Sequence, residues 1–533
     1  MKYLLTGVAA IAMLTACGQK DKPEDVASAP ASALAVMALD TSGSGNVSWD
    51  KKQLNGDKAV FTDVTIAMPD DSTDSEEGLD LDGADLKAAK MEFDGLSLTD
   101  GKASFSRFLM SDVSIVPQDP GDAGEGSGTI GSIELVNPSP ETAAWVAGLF
   151  ADAESADLPE GAALAFDAFK VKDIDFRIHE EEGDQGTFTV KGIEVTGLKD
   201  QKAALMKLDN MAFDLTEAAD DANMKVNFSS LEMRGADLKV LTGATEEAAN
   251  PEDVAGMMNL TAQDPANPGY DSLQVDDFTM DMAGVKVALP KLSSAVEHDK
   301  ENNAVAVRTD PFTVSLSTGE GKYGDQLSGQ LAMLGYETVE LSGAGYQTYE
   351  PDSDLTTYVD GQNYWELKDG FRVDFSMKYA GAKEMAAYEQ GQALDADPAA
   401  AFGDALDKMV LHNFQLRIDD DGFIDRAFNA YAAQTGEDPQ EARNMLSGYF
   451  AMAPMMAASL GLDPALVNEA AASLSSFVTD PKTLTIRLAP PEPMALSTIA
   501  SMEDPSQITK ESLGFEASNA DPADAADGED SPE

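Results

Sequence analysis

From Val47 to about Leu241 the chain alternates apolar and polar residues in short runs, each opened by a turn-forming residue. Asp63-Val64-Thr65-Ile66, Asp112-Val113-Ser114-Ile115, Asp173-Ile174-Asp175-Phe176, Gly192-Ile193-Glu194-Val195 and Ser230-Leu231-Glu232-Met233 are examples. Period two means that one face of each segment is buried and the other wet, which is the mark of a half-buried strand. The runs recur every ~15 to 40 residues, a spacing that suits antiparallel strands joined by hairpins. Asn55-Gly56 and Asp100-Gly101 supply dipeptides that accept the positive φ angles of tight hairpin turns. Between the strands, Pro140 to Phe150 places Trp145, Val146 and Leu149 at helical spacing.

Glu246 to Gly269 interrupts this pattern with Pro251, Pro265 and Pro268 around a helix-like Val254 to Leu260. A second alternating region runs from Ser272 to Ala380. Its clearest hairpin sets Trp365-Glu366-Leu367-Lys368 against Phe371-Arg372-Val373-Asp374-Phe375 across Asp369-Gly370. After Gly381 the period changes. Lys383 to Leu394, Ala399 to Leu411, Gly422 to Gln434, Pro439 to Leu460 and Pro464 to Val478 are helical in composition, with Pro439 and Pro464 placed where a first helical turn accepts proline. Leu411 to Ile418 and Thr483 to Leu488 alternate as strands, and Met494 to Met502 reads as a short helix. The expected organisation is a first β region over 47–245, a linker over 246–271, a second β region over 272–380, a helix-rich region over 381–518 and a disordered acidic tail over 519–533.

Charge narrows the partners. The 533 residues carry 36 Lys+Arg against 95 Asp+Glu, a formal charge of −59, with the acids spread along the whole length. A phosphate backbone would be repelled everywhere, so nucleic acid is excluded as a partner, and anionic lipid surfaces are disfavoured for the same reason. The apolar share of 43% is that of an ordinary globular chain, so a core is expected despite the charge.

The chain begins Met1-Lys2, continues with an apolar run from Tyr3 to Leu14 that is short for a bilayer of about 30 Å, and reaches its only cysteine at Cys17. Leu14-Thr15-Ala16-Cys17 resembles the lipobox of bacterial lipoproteins. The resemblance implies a signal peptide over 1–16, a diacylglyceryl group on Cys17, and attachment of the mature chain to a membrane through that acyl anchor. A diacyl anchor suffices for stable attachment, because each buried CH₂ contributes about 0.8 kcal/mol. Gly18 in the next position implies sorting to the outer membrane, facing the periplasm or the cell surface. Residues 17–46 then read as the lipidated cysteine and a flexible tether, rich in Ala, Ser, Pro and Gly. With Cys17 lipidated, no thiol is left for a disulfide or a cysteine metal site.

A search for chemistry returns little. The three histidines, His179, His298 and His412, lie far apart in sequence. There is no Gly-x-Ser-x-Gly elbow, and Gly319-Glu320-Gly321-Lys322-Tyr323 fails a phosphate loop at its last position. Ser48-Trp49-Asp50-Lys51 has the Ser-x-x-Lys spacing of penicillin-recognising enzymes without the companion elements. Asp80, Asp82 and Asp85, and separately Asp419, Asp420 and Asp421, offer carboxylates without the twelve-residue calcium loop, so solvated turns are expected. The expectation is a protein that is not an enzyme and uses no cofactor or metal.

Two apolar concentrations remain. Tyr346, Tyr349, Tyr358, Tyr364, Trp365 and Phe371 crowd one β region, and Met445, Met452, Met455 and Met456 crowd one helix. Cross-strand pairs and helix core account for both. The sharper alternative is a groove for an acyl chain or other apolar ligand, formed by Tyr358, Tyr364, Trp365, Phe371, Met452, Met455 and Met456.

In the texture of its repeated amphipathic strands, Val47 to Ala380 resembles the AsmA-like envelope proteins, whose long curved sheets are associated with phospholipid movement and envelope upkeep. That family usually starts with an uncleaved membrane helix, whereas this chain starts with a lipobox. Asp480-Pro481-Lys482-Thr483-Leu484 and Ala489-Pro490-Pro491-Glu492-Pro493 resemble uncharacterised proteins of alphaproteobacteria. The expected fold is α+β, mainly β: an elongated, curved antiparallel sheet or sheets of short amphipathic strands, with helices near the C-terminus. The expected role is an envelope lipoprotein that binds or passes phospholipid or another apolar ligand. The alternative role is a structural lipoprotein whose partner is another envelope protein.

Overall fold

The computed structural model describes residues 29–67, 84–117, 127–151, 161–179, 185–217, 222–241, 264–389, 398–500 and 508–520. Cys17, Asp80, Asp82, the segment Val254 to Leu260 and the tail from residue 521 lie outside the described residues. The fold is mainly β, 52% strand and 27% helix, with antiparallel pairing and helices gathered toward the C-terminus. It divides into two compact units, and Gln274–Asp281 packs with the first although the residues on both sides of it belong to the second.

In the first unit the strands are β1 (Val47–Ser48), β2 (Lys51–Asn55), β3 (Lys58–Ala67), β4 (Ala84–Asp94), β5 (Ser97–Thr99), β6 (Lys102–Ser104), β7 (Arg107–Pro117), β8 (Ser127–Val136), β9 (Phe166–His179), β10 (Gln185–Leu198), β11 (Lys202–Glu217), β12 (Ala222–Asp237) and β13 (Ser272–Met282). From β3 to β12 they form one antiparallel meander, interrupted by the small β5–β6 hairpin and, between β8 and β9, by the expected helix Pro140–Phe150. The inward faces of β3, β4 and β7 bury Phe61, Met91, Phe93, Phe108 and Val113 almost completely. Phe93 is the hub, with ring contacts to Phe61, Phe105, Phe108 and Phe150. The two expected hairpin turns form. Asp100 and Gly101 both take positive φ between Thr99 and Lys102, whereas the Asn55-Gly56 turn is displaced by one residue, to Gly56 and Asp57 between the paired Asn55 and Lys58.

The tether ends earlier than expected. Ala29–Val36 is a helix, and Ala33, Leu34, Met37 and Leu39 are buried in the first unit's core. The cause is in the sequence: these four apolar residues, at helical and near-helical spacing, can leave water together, which outweighs the loss of chain entropy.

A second correction concerns three of the residues that open alternating runs, Asp63, Asp112 and Asp173, which share their conformation with Asn210 and Asp277. Asp63, Asp112, Asp173, Asn210 and Asp277 are not at turns. They lie inside β3, β7, β9, β11 and β13 with φ of 45–53°. The ladder skips them: Thr62 pairs with Lys90 and Val64 with Ala88, so Asp63 faces Ala89 unpaired. The same skip sets Asp112 against Ala89 and Gly131, Asp173 against Gly131 and Lys191, and Asn210 against Lys191 and Ser229. Ser229 Oγ then donates to Asp277 Oδ2 at 3.0 Å. One row of bends thus crosses the meander, with a left-handed Asp or Asn on every second strand. It shifts the burial phase of each strand: β3 buries Ala59 and Phe61, then Val64 and Ile66, and β7 buries Phe108 and Met110, then Val113 and Ile115. Asp and Asn suit the position because they enter the left-handed region more readily than other residues with a Cβ. Gly131 suits its place because a Cβ there would approach that of Asp173 to 2.9 Å.

The second unit contains β14 (Val285–His298), β15 (Ala304–Thr318), β16 (Thr338–Glu350), β17 (Leu355–Tyr358), β18 (Tyr364–Leu367), β19 (Phe371–Ala380), β20 (Val410–Asp420), β21 (Thr483–Leu488), β22 (Met494–Ala495) and β23 (Phe515–Ala520). They continue in antiparallel order from β14 to β16. The short strands β17 and β18 then share one lane between β16 and β19, followed by β20, β21 and β23. The expected helices appear as Ala382–Glu389, Pro398–Lys408, Phe423–Thr435, Pro439–Leu460 and Pro464–Thr479. Lys322–Met333 is an additional helix, and Met494 to Met502 splits into β22 and the short helix Leu496–Ala500. Asn519 and Ala520, assigned above to the disordered tail, complete β23. Asn519 Nδ2 donates to Ser476 Oγ at 3.0 Å and to the Asp480 carbonyl at 2.9 Å.

An open apolar sheet face as the candidate functional site

Strict alternation on β19 puts Phe371, Val373, Phe375, Met377 and Tyr379 on one face and Arg372, Asp374, Ser376 and Lys378 on the other. Register carries this division across the unit. Val373 pairs with Trp365 on β18 and Ile418 on β20, and Phe375 pairs with Leu416. Trp365 in turn pairs with Gly343, and Gly343 with Phe312 on β15. Beyond β20 the same face continues through Leu484 and Ile486 of β21.

From β15 to β20 this face is apolar and is not covered. Phe312, Val314, Leu341, Val373, Phe375, Leu416 and Ile418 are all partly exposed, and Trp365 is 38% exposed. In the first unit the equivalent inward residues Phe61, Met91 and Phe93 are at 0%. Cover exists at β21, where Leu484 is buried and Ile486 packs against Ile508, Leu513 and Phe515, and toward the ends of the strands. At one end the ring of Phe423, on helix Phe423–Thr435, meets Phe371 at 5.2 Å. At the other, Lys383 lies over the Tyr349 ring at 5.2 Å, and Tyr349 donates to Asp354 Oδ1 at 2.8 Å. Toward that second end, Tyr358 stacks on Tyr379 at 6.4 Å and tilts against Phe375 at 5.5 Å. Burial and the neighbouring Tyr379 hydroxyl push the Tyr358 phenol well above its ordinary pKa, so its ring adds no charge to the face.

The opposite face is a charge lattice. Arg372 donates to both oxygens of Asp374 at 2.8 Å and to Glu366 at 3.3 Å, and its guanidinium lies 4.0 Å from the Tyr364 ring centre. These bonds to Asp374 hold Arg372 firmly protonated. Arg417 pairs with Asp419, which also accepts from Thr483 Oγ1 at 2.5 Å. Residues 359–363 leave the β17–β18 lane, and Asp360 and Gly361 line a polar recess on this side with Arg372, Asp374 and Arg417. Buried Asn363 pins the excursion: its Oδ1 accepts from Tyr346 N at 2.8 Å, and its Nδ2 donates to the carbonyls of Tyr346 and Val359 at 3.1 and 2.7 Å.

The sequence-derived groove is therefore partly reassigned. Tyr358, Trp365 and Phe371 share the apolar face. Tyr364 belongs to the charged face, as period two dictates for the neighbour of Trp365. Met452 and Met455 are on neither face. They are 50% and 79% exposed on helix Pro439–Leu460, which packs against Pro464–Thr479 through Ser447 and Ser475. The Met456 side chain lies outside the described residues. Phe312, Val373, Phe375 and Leu416 were missed, although the alternation of Phe371 to Phe375 contains the signal for two of them.

The catalytic candidates do not converge. His179 ends β9, His298 ends β14 with Asp271 at 3.5 Å, and His412 is within β20. Ser48 closes β1 while Lys51 opens β2 and contacts Asp50 at 3.5 Å. Asp420 accepts from the backbone N–H groups of Gly422 and Ile424, a local turn role. Among the described residues no three His, Cys, Asp or Glu side chains are grouped to hold a metal ion. No helix among them is long and apolar enough to cross a membrane.

No curated protein matches the chain. A family model described only as an uncharacterized protein matches residues 364–520, from β18 through β23, and so takes in Trp365, Val373, Phe375 and Leu416 of the open face.

Proposed function

We propose that this chain is a non-enzymatic envelope lipoprotein, anchored through Cys17, that holds lipid acyl chains on the open apolar face of its second unit. The observation that carries the reading is the partial exposure of a continuous run of Phe312, Trp365, Val373, Phe375 and Leu416 in a chain with −59 formal charge. Contiguous exposed apolar surface is costly in water and marks a place where another apolar surface belongs. A sheet face offers methyl and ring contacts over its whole width without fixed polar anchors, which suits a flexible hydrocarbon chain. The rings that flank it, Tyr358 and Tyr379, add apolar wall.

The test is native mass spectrometry with lipid extraction on the chain from Asp21 onward, produced in the periplasm without an acyl anchor. Phospholipid at fixed stoichiometry is expected, and it is lost in Trp365→Glu and Phe375→Glu variants whose thermal melts show a folded protein. A clean ligand-free mass for the unaltered chain overturns the reading.

A further inference from the structure

Helix Pro439–Leu460 presents a second apolar surface, distinct from the sheet face. Met445, Tyr449, Met452 and Met455 are 51%, 59%, 50% and 79% exposed. At about 100° per residue they fall within roughly a third of the helix circumference, so they form one stripe. The opposite side of the helix is occupied: Ser447 bonds Ser475 of helix Pro464–Thr479 at 2.5 Å, and Arg443 reaches Asp425 and lies 5.0 Å from the ring centre of Phe428, both on helix Phe423–Thr435. The stripe is thus the outer face of a packed helical layer, not a core surface awaiting collapse.

Charge identifies its partner. From Asn444 to Leu462 the sequence contains no charged residue, in a chain that is 25% charged. A second copy of this chain would bring another −59 formal charges to the contact, and an anionic bilayer would repel the body in the same way. A net-neutral hydrocarbon surface carries neither penalty. Methionine side chains adapt to a fluid surface, and Tyr449 carries an apolar ring with a hydroxyl that belongs at the headgroup level. We infer that this stripe docks on a zwitterionic phospholipid bilayer, with Tyr449, Met452 and Met455 entering its interface. The contact goes beyond lipid binding on the sheet face, and either can fail without the other.

The experiment uses the full chain with Met452→Cys or Met455→Cys carrying a polarity-sensitive fluorophore, mixed with phosphatidylcholine vesicles containing brominated acyl chains. Glu441→Cys, in the first turn of the same helix, is the control. Quenching severalfold stronger at 452 and 455 than at 441 is expected. Equal quenching at all three positions, or a blue shift that rises with protein concentration without vesicles, overturns the inference, the latter in favour of self-association. Native mass spectrometry of the sheet-face variants reads the other site independently.

Discussion

The rings of Phe312 and Trp365 meet edge to face, 5.6 Å apart at 83°, across Gly343 on the strand between them. A Cβ at Gly343 would stand 3.0 Å from Phe312 Cζ and 3.1 Å from Trp365 Cε3, so the absence of a side chain is what joins the two rings. Gly343→Val is expected to part the rings and cost about 1–3 kcal/mol, read as a lower urea midpoint with a shifted tryptophan emission. Gly343→Ala should show the same direction with a smaller effect.

Asn363 is buried, and its side-chain hydrogen bonds go to backbone groups of residues 346 and 359. Asn363→Leu takes the side-chain acceptor from the Tyr346 N–H, at about 1–3 kcal/mol where water cannot reach it, while the carbonyls of Tyr346 and Val359 keep the N–H groups of Val359 and Gln362. Loss of about 1–3 kcal/mol is expected in equilibrium unfolding, with faster amide exchange at Tyr346.

Asp112 takes φ of 51° inside β7. Asp112→Val should destabilise by about 1–2 kcal/mol, because a β-branched side chain clashes in the left-handed region, whereas Asp112→Asn and Asp112→Gly should be close to neutral. An equal loss in all three variants would mean that the carboxylate, not the backbone, matters there.

Glu92 is buried between Lys58 and Lys90, each 3.0 Å away. Burial alone would raise its pKa, but the two ammonium groups outweigh it and hold the carboxyl below its ordinary value of 4.5. Because the folded pKa is the lower one, the stabilisation is complete above pH 4.5 and drains away as the pH falls through the folded value. Glu92→Gln should therefore be less stable than the unaltered chain at pH 7, with the gap closing as the pH falls below the ordinary carboxyl value of 4.5 in urea titrations.

Leu34 is 1% exposed in the first unit's core. Leu34→Ala is expected to cost about 2–5 kcal/mol, a loss that a free tether could not produce.

The strands were legible because each obeys period two over enough residues to fix its faces. The same rule would have separated Tyr364 from Trp365, had faces been assigned before aromatics were grouped. Other features had no local signal. Asp63 and Asp112 have the left-handed preference that marks turns, and only the positions of the partner strands reveal them as bends. Helix Lys322–Met333 is too polar for a clear apolar stripe, and Phe515–Ala520 gains its identity from pairing with β21. The Asp369-Gly370 hairpin formed with a different loop: Leu367 pairs with Phe371, closing three residues of which Asp369 alone is left-handed. That the open face is left open is a property of the tertiary arrangement, and no strand states it by itself.

The bend row has a consequence for how such a chain can grow. Left-handed Asp or Asn occupies β3, β7, β9 and β11, and Ala89, Gly131, Lys191 and Ser229 answer it on the strands between. Insertion or deletion of a single strand would set two bent residues side by side, or two unbent ones, and would also reverse the direction of everything that follows. A whole hairpin can be gained or lost with every remaining strand keeping its neighbour type and its polarity. The heritable unit of length in this unit is therefore the strand pair, and related chains should differ in size by hairpins.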